Sequence, residues 1–223
     1  AEAMEALVDL VAEWLELRPG QQVGDIGCGY GATAQRLAER HGLAVTGVTI
    51  SAAQAARGME RTPARGSVTI LAQDWLAGGF PDACFDRAYA IESSEHMEDK
   101  QHFFTEAFRT LKPGGRLVVC AWLARTEPKP WEVRWLLEPI CREGRLPSMG
   151  DEGDYRRLAE AAGFEALVLT VDAPAQGVRD RERRAGFRLP KNISAVNLSH
   201  APVAQSLLDT APTWDDVQWL LGA

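Results

Sequence analysis

The chain has 223 residues, of which 46% are hydrophobic and 25% are charged, and its formal net charge at pH 7 is −7. This length is sufficient for one α/β domain with a complete core. The negative charge argues against a partner with a phosphate backbone, so we expect no nucleic-acid ligand.

The sequence gives no sign of a membrane or export segment. No apolar run reaches the length of a transmembrane helix, and no signal peptide is recognisable. The four cysteines show no CxxC spacing, which is typical of a reduced protein of the cytoplasm. We therefore expect a cytoplasmic protein; the sequence leaves open whether it is a monomer or a homodimer.

The first 125 residues alternate between helical and extended patterns. Helices are predicted over 2–17 and 31–41, and two more begin after the capping residues Ser51 and Asp99. A turn is predicted at Lys112-Pro-Gly-Gly115. This alternation predicts a doubly wound, mainly parallel sheet. Its first five predicted strands span residues 21–26, 44–48, 68–72, 85–91 and 116–122.

The alternation stops after residue 125. Residues 126–150 predict a helical lid insertion, with Trp131, Trp135 and Leu136 on one side of a helix. A further helix is predicted over 154–162, and Gly163 would end it.

Two more strands are predicted towards the end of the chain, which gives a seven-stranded sheet. Residues 164–171 form the sixth strand, and residues 217–221 pair antiparallel at the sheet edge. We expect a single domain over residues 1–223. Its parts are a cofactor half over about 1–125, the lid over about 126–150, and a substrate and edge-strand part over 151–223.

The connection between the first strand and the next helix carries three glycines at alternate positions. They are Gly27, Gly29 and Gly31, and Asp25 precedes them at the end of the strand. Glycine can adopt positive φ and lets a ligand lie against bare backbone. Cofactors that contain adenosine use such turns at the carboxyl end of the first strand of an α/β sheet.

The chemistry of this turn narrows the choice of cofactor. The spacing Gly27-x-Gly29-x-x-Ala32 also fits the dinucleotide pattern, so a nicotinamide-dependent reductase is an alternative. That class needs an acid at the end of the second strand, and residues 45–51 contain none. Asp25 would repel a pyrophosphate but attract a cation. We therefore expect S-adenosylmethionine, which is both an adenosine and a cation.

From about residue 21 to 172 the chain resembles the class I S-adenosylmethionine-dependent methyltransferases, and two of its blocks are most similar to the tocopherol, sterol and sugar branch, which acts on small molecules. The resemblance implies a Rossmann-like fold, S-adenosylmethionine as cofactor and a small-molecule acceptor. The blocks that carry it are Val23-Gly-Asp-Ile-Gly-Cys-Gly-Tyr-Gly31, Gly47-Val-Thr-Ile-Ser51, Ala72-Gln-Asp-Trp75, Phe85-Asp-Arg-Ala-Tyr-Ala-Ile-Glu92, Glu95-His-Met97 and Leu111-Lys-Pro-Gly-Gly-Arg116.

Cofactor contacts are expected first along the glycine turn and the second strand. The glycine turn, with Cys28 as a small filler, would approach the methionyl part, and Asp25 would favour its cation. Most relatives have an acid for the ribose hydroxyls where this chain has Thr49 and Ile50. Gln54, one turn into the next helix, is the expected replacement; the alternative is a glutamine on the helix surface.

Further contacts are expected after the third and fourth strands. The resemblance implies that Asp74 accepts from the adenine amino group and that the backbone N–H of Trp75 reaches the ring. Alternatively, Asp74 caps a turn, and the Trp75 indole either covers the adenine or packs in the core. Ile91, at the end of the fourth strand, would line the cofactor through its backbone.

The loop after the fourth strand holds the candidate catalytic residues. His96 is the candidate general base, because imidazole exchanges protons near neutral pH; the alternative is a packing or capping histidine. Glu92 and Glu95 can orient His96, bind the acceptor, or be plain surface charge. Some sugar-methylating relatives have an acid after the fifth strand, where this chain has Ala121-Trp122, which weakens a histidine–acid pair.

Methyl transfer from a sulfonium is an in-line displacement that requires no metal, and alignment with exclusion of water can supply much of the rate. We expect an enzyme that methylates an oxygen or carbon of a small, largely apolar molecule, such as a natural product or a prenylated quinol. The alternative within the fold is a protein that binds S-adenosylmethionine but catalyses another reaction, such as a cyclisation.

Overall fold

The computed structural model describes residues 2–165, which lie within one compact unit, Ala1–Val171. These residues form a sheet of five parallel strands in the order β3-β2-β1-β4-β5. None of the helices in this part has the length and apolar character needed to cross a membrane. The strands are β1 (Gln22–Ile26), β2 (Ala44–Thr49), β3 (Ser67–Ala72), β4 (Phe85–Ile91) and β5 (Leu111–Cys120).

Helices follow the strands and cover both faces of the sheet, so the predicted doubly wound α/β fold is confirmed. The helix bounds are α1 (Glu2–Trp14), α2 (Ala32–His41), α3 (Ala52–Met59), α4 (Lys100–Thr110), α5 (Pro130–Glu132), α6 (Glu138–Gly144) and α7 (Glu152–Ala162).

The strand order reverses between β1 and β4, because the chain builds outwards through β2 and β3 and then returns to the other side of β1. In such sheets, ligands bind outside the carboxyl ends of the strands at the point of reversal. We call this edge the switch point. It comprises the ends of β1 and β4 with the loops 27–31 and 92–97.

Two apolar clusters, one on each face of the sheet, form the core. On one face, Val8 and Val11 of α1 pack together with Leu15, which directly follows the helix; the three recur at helical spacing. On the other face Phe103 and Phe104 of α4 pack with their rings 4.9 Å apart. Residues 23–26 of β1 and 88–90 of β4 are buried at consecutive positions, so both faces of these central strands are covered.

β5 differs from its prediction at both ends. It begins at Leu111 and ends at Cys120, rather than spanning 116–122. Phe85 of β4 pairs with Leu111 and Arg87 pairs with Arg116, so a step of two residues along β4 corresponds to a step of five along β5. The predicted turn residues are therefore looped out within the strand, and Gly114 permits this with a φ of 73°.

The predicted lid is an irregular helix. A π-helical turn, Val133–Leu137, joins α5 to α6. Its apolar side chains are exposed: Trp135 is 67% accessible and Trp131 40%. We call residues 130–144 the lid segment.

The end of the described region agrees in part with its prediction. α7 ends at Gly163 in a left-handed conformation, as predicted. Of the predicted sixth strand, only Phe164 and Glu165 are described, and neither belongs to a strand. The rest of that strand and the predicted edge strand at 217–221 lie outside the described residues, so both stay predictions, as does the single domain over 1–223.

Candidate functional site

The glycine turn after β1 is left-handed at each of its three glycines, with φ of 81° at Gly27, 54° at Gly29 and 70° at Gly31. A Cβ atom at Gly27 would lie 2.3 Å from Ser93 Cβ, so packing against the next loop requires that glycine. At Gly29, by contrast, a Cβ atom would meet nothing within 4 Å. Bare backbone therefore faces open space at the switch point.

Asp25 lies beneath this turn and is only 3% exposed. Its Oδ2 accepts a hydrogen bond from Tyr89 Oη at 2.8 Å. Burial raises the pKa of Asp25 to about 7, and the hydrogen bond from Tyr89 opposes that rise. No arginine or lysine of residues 2–165 forms a salt bridge with Asp25. A ligand cation would thus meet an uncompensated acid.

Cys28 fills the space between the turn and β2. Its half-buried Sγ donates to the Gly29 carbonyl oxygen at 3.7 Å. A Cβ atom at Gly47 of β2 would lie only 2.7 Å from that sulfur. Burial, followed by the charge of Asp25, raises the pKa of the thiol to about 12. The thiol therefore stays protonated, as suits a filler rather than a nucleophile.

The end of β2 presents a polar pair and an exposed apolar side chain. Thr49 Oγ1 donates to Gln54 Oε1 at 2.8 Å, and Ser51 Oγ accepts from the Gln54 backbone N–H at 3.3 Å. Gln54 Nε2 has no hydrogen-bond partner among residues 2–165, which leaves two donors for a ligand. Ile50 is 83% exposed beside them.

After β3, Asp74 and Trp75 have different environments. Asp74 is exposed, and its Oδ1 accepts from the Leu76 backbone N–H at 3.0 Å, capping the short helix Trp75–Ala77. The Trp75 indole is 2% exposed and donates to the Phe103 carbonyl at 3.4 Å. The indole therefore packs in the core instead of covering a ligand, so only the backbone of residue 75 is available to a cofactor.

The loop after β4 is fixed to the fold at two serines. Ser93 Oγ donates to the Ile26 carbonyl of β1 at 2.5 Å. Ser94 Oγ lies 3.1 Å from the hydroxyl of Tyr155, on α7. These bonds hold the short helix Ser94–His96 against the carboxyl ends of the sheet. Ile91, immediately before the loop, is partly buried.

Both predicted catalytic residues are on the surface of this loop. His96 and Glu92 are exposed, and Glu92 adopts a φ of 49°, which is uncommon for a residue with a side chain. Within residues 2–165 these two residues form hydrogen bonds through their backbone only: the Glu92 N–H donates to the Cys120 carbonyl and the His96 N–H to the Ser93 carbonyl. The structure therefore brings them to the switch point without pairing them.

Glu95 is the buried acid of the loop, at 3% exposure. Its Oε1 accepts from the Trp122 backbone N–H at 3.4 Å. Its Oε2 is buried without a hydrogen-bond partner among the described residues, and burial raises its pKa. The sequence showed an acid here but gave no signal that it would point inwards while His96 points outwards.

Lys100, on the first turn of α4, is a residue that sequence reasoning missed. Its Nζ donates to the carbonyls of Glu95 at 3.3 Å, Met97 at 3.1 Å and Ser148 at 3.2 Å. It thereby ties the loop after β4 to the segment that precedes α7. The single sequence signal was its position after Asp99, the predicted cap of α4.

Two sequence profiles match the chain. The profile described as mycolic acid cyclopropane synthetase matches residues 1–167, three quarters of the chain. The profile described as FMN-dependent dehydrogenase matches residues 153–222, less than a third of the chain, and does not show a family.

Curated relatives that match the chain are named as methyltransferases. The chain is 35% identical over 173 residues to a 2-methyl-6-phytyl-1,4-hydroquinone methyltransferase of a Synechocystis strain, covering 74% of this chain and 54% of the relative. It is also 35% identical over 172 residues to the O-methyltransferase rstn1 of Aspergillus nomiae, covering 75% of each. The chain spans about half the length of the first curated relatives it matches.

Solved structures share the fold. Mycolic acid cyclopropane synthase CmaA1, complexed with SAH and CTAB, aligns with a TM-score of 0.60 at 27% identity, over 74% of this chain and 62% of the other. The [4+2]-cyclase SpnF aligns with a TM-score of 0.60 at 30% identity, over 74% and 60%. The chain therefore belongs to the mycolic acid cyclopropane synthetase family, within the small-molecule branch of the class I S-adenosylmethionine-dependent methyltransferases.

Proposed function

We propose that this chain binds S-adenosylmethionine at the switch point and transfers its methyl group to an oxygen or carbon of a small, largely apolar molecule. Family membership supports the cofactor. The observation that carries the proposal is a buried, uncompensated carboxylate, Asp25, beneath a glycine turn that faces open space at Gly29. That combination suits a cationic ligand and is unsuited to the pyrophosphate of a nicotinamide cofactor.

The residues at the carboxyl edge fit the parts of S-adenosylmethionine in chain order. Asp25 faces the ammonium and sulfonium end, and the backbone of Gly27, Gly29 and Gly31 with Cys28 borders the methionyl part. The free donors of Gln54, paired with Thr49, suit a ribose hydroxyl, with Ile50 beside the sugar. Asp74 and the backbone of Trp75 would contact the adenine. The backbone of Ile91 would also line the cofactor.

When bound, the cofactor supplies a methyl group activated by the positive charge of sulfur. The chain's own contribution is to align donor and acceptor and to exclude water. If the acceptor carries a proton, a base must take it. His96 is the proposed base because it lies exposed in the loop at the switch point, within reach of a ligand bound there. Glu92 in the same loop is the second candidate.

Exposed aromatic side chains support the proposed acceptor class. Trp122, which follows β5, is 51% exposed, and Trp135 of the lid segment is 67% exposed. Exposed aromatic side chains in a lid favour an apolar or aromatic acceptor. The hydroquinone methyltransferase of Synechocystis, 35% identical to this chain, bears the name of such an acceptor.

A second function is favoured by one observation, the 30% identity and TM-score of 0.60 to the [4+2]-cyclase SpnF. In that case the same fold would shape a pocket for a cyclisation without methyl transfer.

The test is an assay with S-adenosylmethionine labelled in its methyl group and a panel of prenylated hydroquinones and polyketide phenols. The proposal expects label in the product and S-adenosylhomocysteine in equal amount. A product of unchanged mass without label would favour the cyclase. Failure to bind S-adenosylhomocysteine at all, measured calorimetrically, would overturn both.

A further inference from the structure

A buried acid and a buried phenol lie side by side at the switch point. Asp25 and Tyr89 are partners in the parallel register of β1 and β4, and Tyr89 Oη donates to Asp25 Oδ2 at 2.8 Å. Asp25 is 3% exposed and Tyr89 is fully buried. Strand register, rather than a loop, therefore holds the phenol beside the carboxylate.

The other groups that face Asp25 in the described part of the chain are neutral. On β2 its register partner is Gly47, which has no side chain. Cys28 contributes a thiol that stays protonated, since burial raises its pKa to about 12. α1 and α2 cover this face with apolar side chains. Among residues 2–165, the hydroxyl of Tyr89 is thus the only hydrogen-bond donor to the Asp25 side chain.

From this geometry we infer that Tyr89 is a positioning residue for the cofactor: its hydroxyl holds Asp25 as an oriented carboxylate, and cofactor affinity falls when Asp25 takes up a proton. The inference rests on the proposed function, because it requires a ligand cation at Asp25. It adds a residue on β4 that touches no part of the cofactor.

The direction of the pH dependence follows from the two opposing influences on Asp25. Burial raises its pKa to about 7, and the hydrogen bond from Tyr89 lowers it. A cation binds the carboxylate and not the neutral acid, so affinity falls as the pH drops below about 7, approaching tenfold per pH unit. Without the hydroxyl the pKa rises further, and the loss of affinity begins at a higher pH.

The experiment is calorimetric titration of the full chain with S-adenosylhomocysteine between pH 5.5 and 8.5. Each pH is measured in two buffers of different ionisation enthalpy, so that protons released on binding are counted. The wild-type chain should release about half a proton per ligand near pH 7. Tyr89→Phe should shift the midpoint of the affinity profile upwards by about one to two pH units.

Two further variants make the result specific. Asp25→Asn should bind weakly, with an affinity that does not change over this range. Tyr155→Phe removes another buried hydroxyl, but one that pairs with Ser94 instead of an acid, so its midpoint should match the wild type. Binding without proton release, or the same midpoint in Tyr89→Phe, would overturn the inference alone. No binding at any pH would overturn the proposed function instead.

Discussion

The two sides of the proposed site are built differently. On the proposed cofactor side, Asp25, Tyr89 and Gly27 are placed by strand register and by close packing against the neighbouring loop. On the proposed acceptor side, Trp131 and Trp135 of the lid segment lie exposed on an irregular helix. Strand register and close packing thus fix the proposed cofactor side, whereas the exposed aromatic side chains of the proposed acceptor side lie on a helix outside the sheet.

The largest effect is expected from filling the open space above the glycine turn. Gly29→Val would place a branched side chain against the ligand, so S-adenosylhomocysteine binding should fall below detection in a calorimetric titration while the fold survives. Gly114→Val is the matched control, because Gly114 also has a positive φ and open space around it. It should carry the same backbone strain and keep its affinity. Equal losses in both variants would mean that strain, rather than the site, explains the result.

On the acceptor side, His96→Ala should lower kcat by about 10²–10⁴-fold with little change in cofactor affinity, because it removes the proposed base. With S-adenosylmethionine kept saturating at every pH, so that protonation of Asp25 does not lower occupancy, the acidic limb of the pH dependence of kcat should disappear with it. His41→Ala, at the end of α2 and away from the switch point, should retain the wild-type rate. If His96→Ala keeps most of its rate and the same profile, catalysis rests on alignment alone.

The burial of Asp25 should lower the free energy of unfolding in a pH-dependent way. The folded state raises the pKa of Asp25 above the usual value of 3.8 to about 7, so Asp25 destabilises the fold increasingly as the pH rises between those values. The free energy of unfolding of Asp25→Asn, minus that of the wild type, should therefore grow by a few kcal/mol between pH 4 and 7 and level off above. Denaturant unfolding at several pH values measures it. A difference that does not change with pH would mean that Asp25 is not a buried acid.

The smallest effect is expected at the adenine end. Asp74→Asn keeps the side-chain oxygen that caps the helix Trp75–Ala77, but it replaces the other carboxylate oxygen with an NH₂ group that cannot accept a hydrogen bond. Cofactor affinity should therefore drop several-fold, or by about 0.5–1.5 kcal/mol. Asp99→Asn alters a cap of the same kind, on α4, and should leave cofactor affinity unchanged. A loss of acceptor affinity instead would move Asp74 to the acceptor side.

The comparison also explains what the sequence could predict. The glycine turn, the acid before it and the alternation of strands and helices are local patterns, and β1 to β4 were therefore found within two residues of their observed ends. The start of β5 was not, because the residues looped out near Gly114 shift its register in a way that only pairing with β4 reveals. Whether a side chain of the loop after β4 points inwards or outwards depends on contacts between residues distant in sequence, such as Ser94 with Tyr155. The sequence alone could not predict these contacts.

The most direct measurement is a crystal structure of the full chain with S-adenosylhomocysteine. The account predicts that the ligand lies across the ends of β1 and β4, with its ammonium bound to the Asp25 carboxylate directly or through one water. Its ribose would lie beside Gln54. A ligand bound elsewhere on the chain, or one whose ammonium faces away from Asp25, would contradict the central claim.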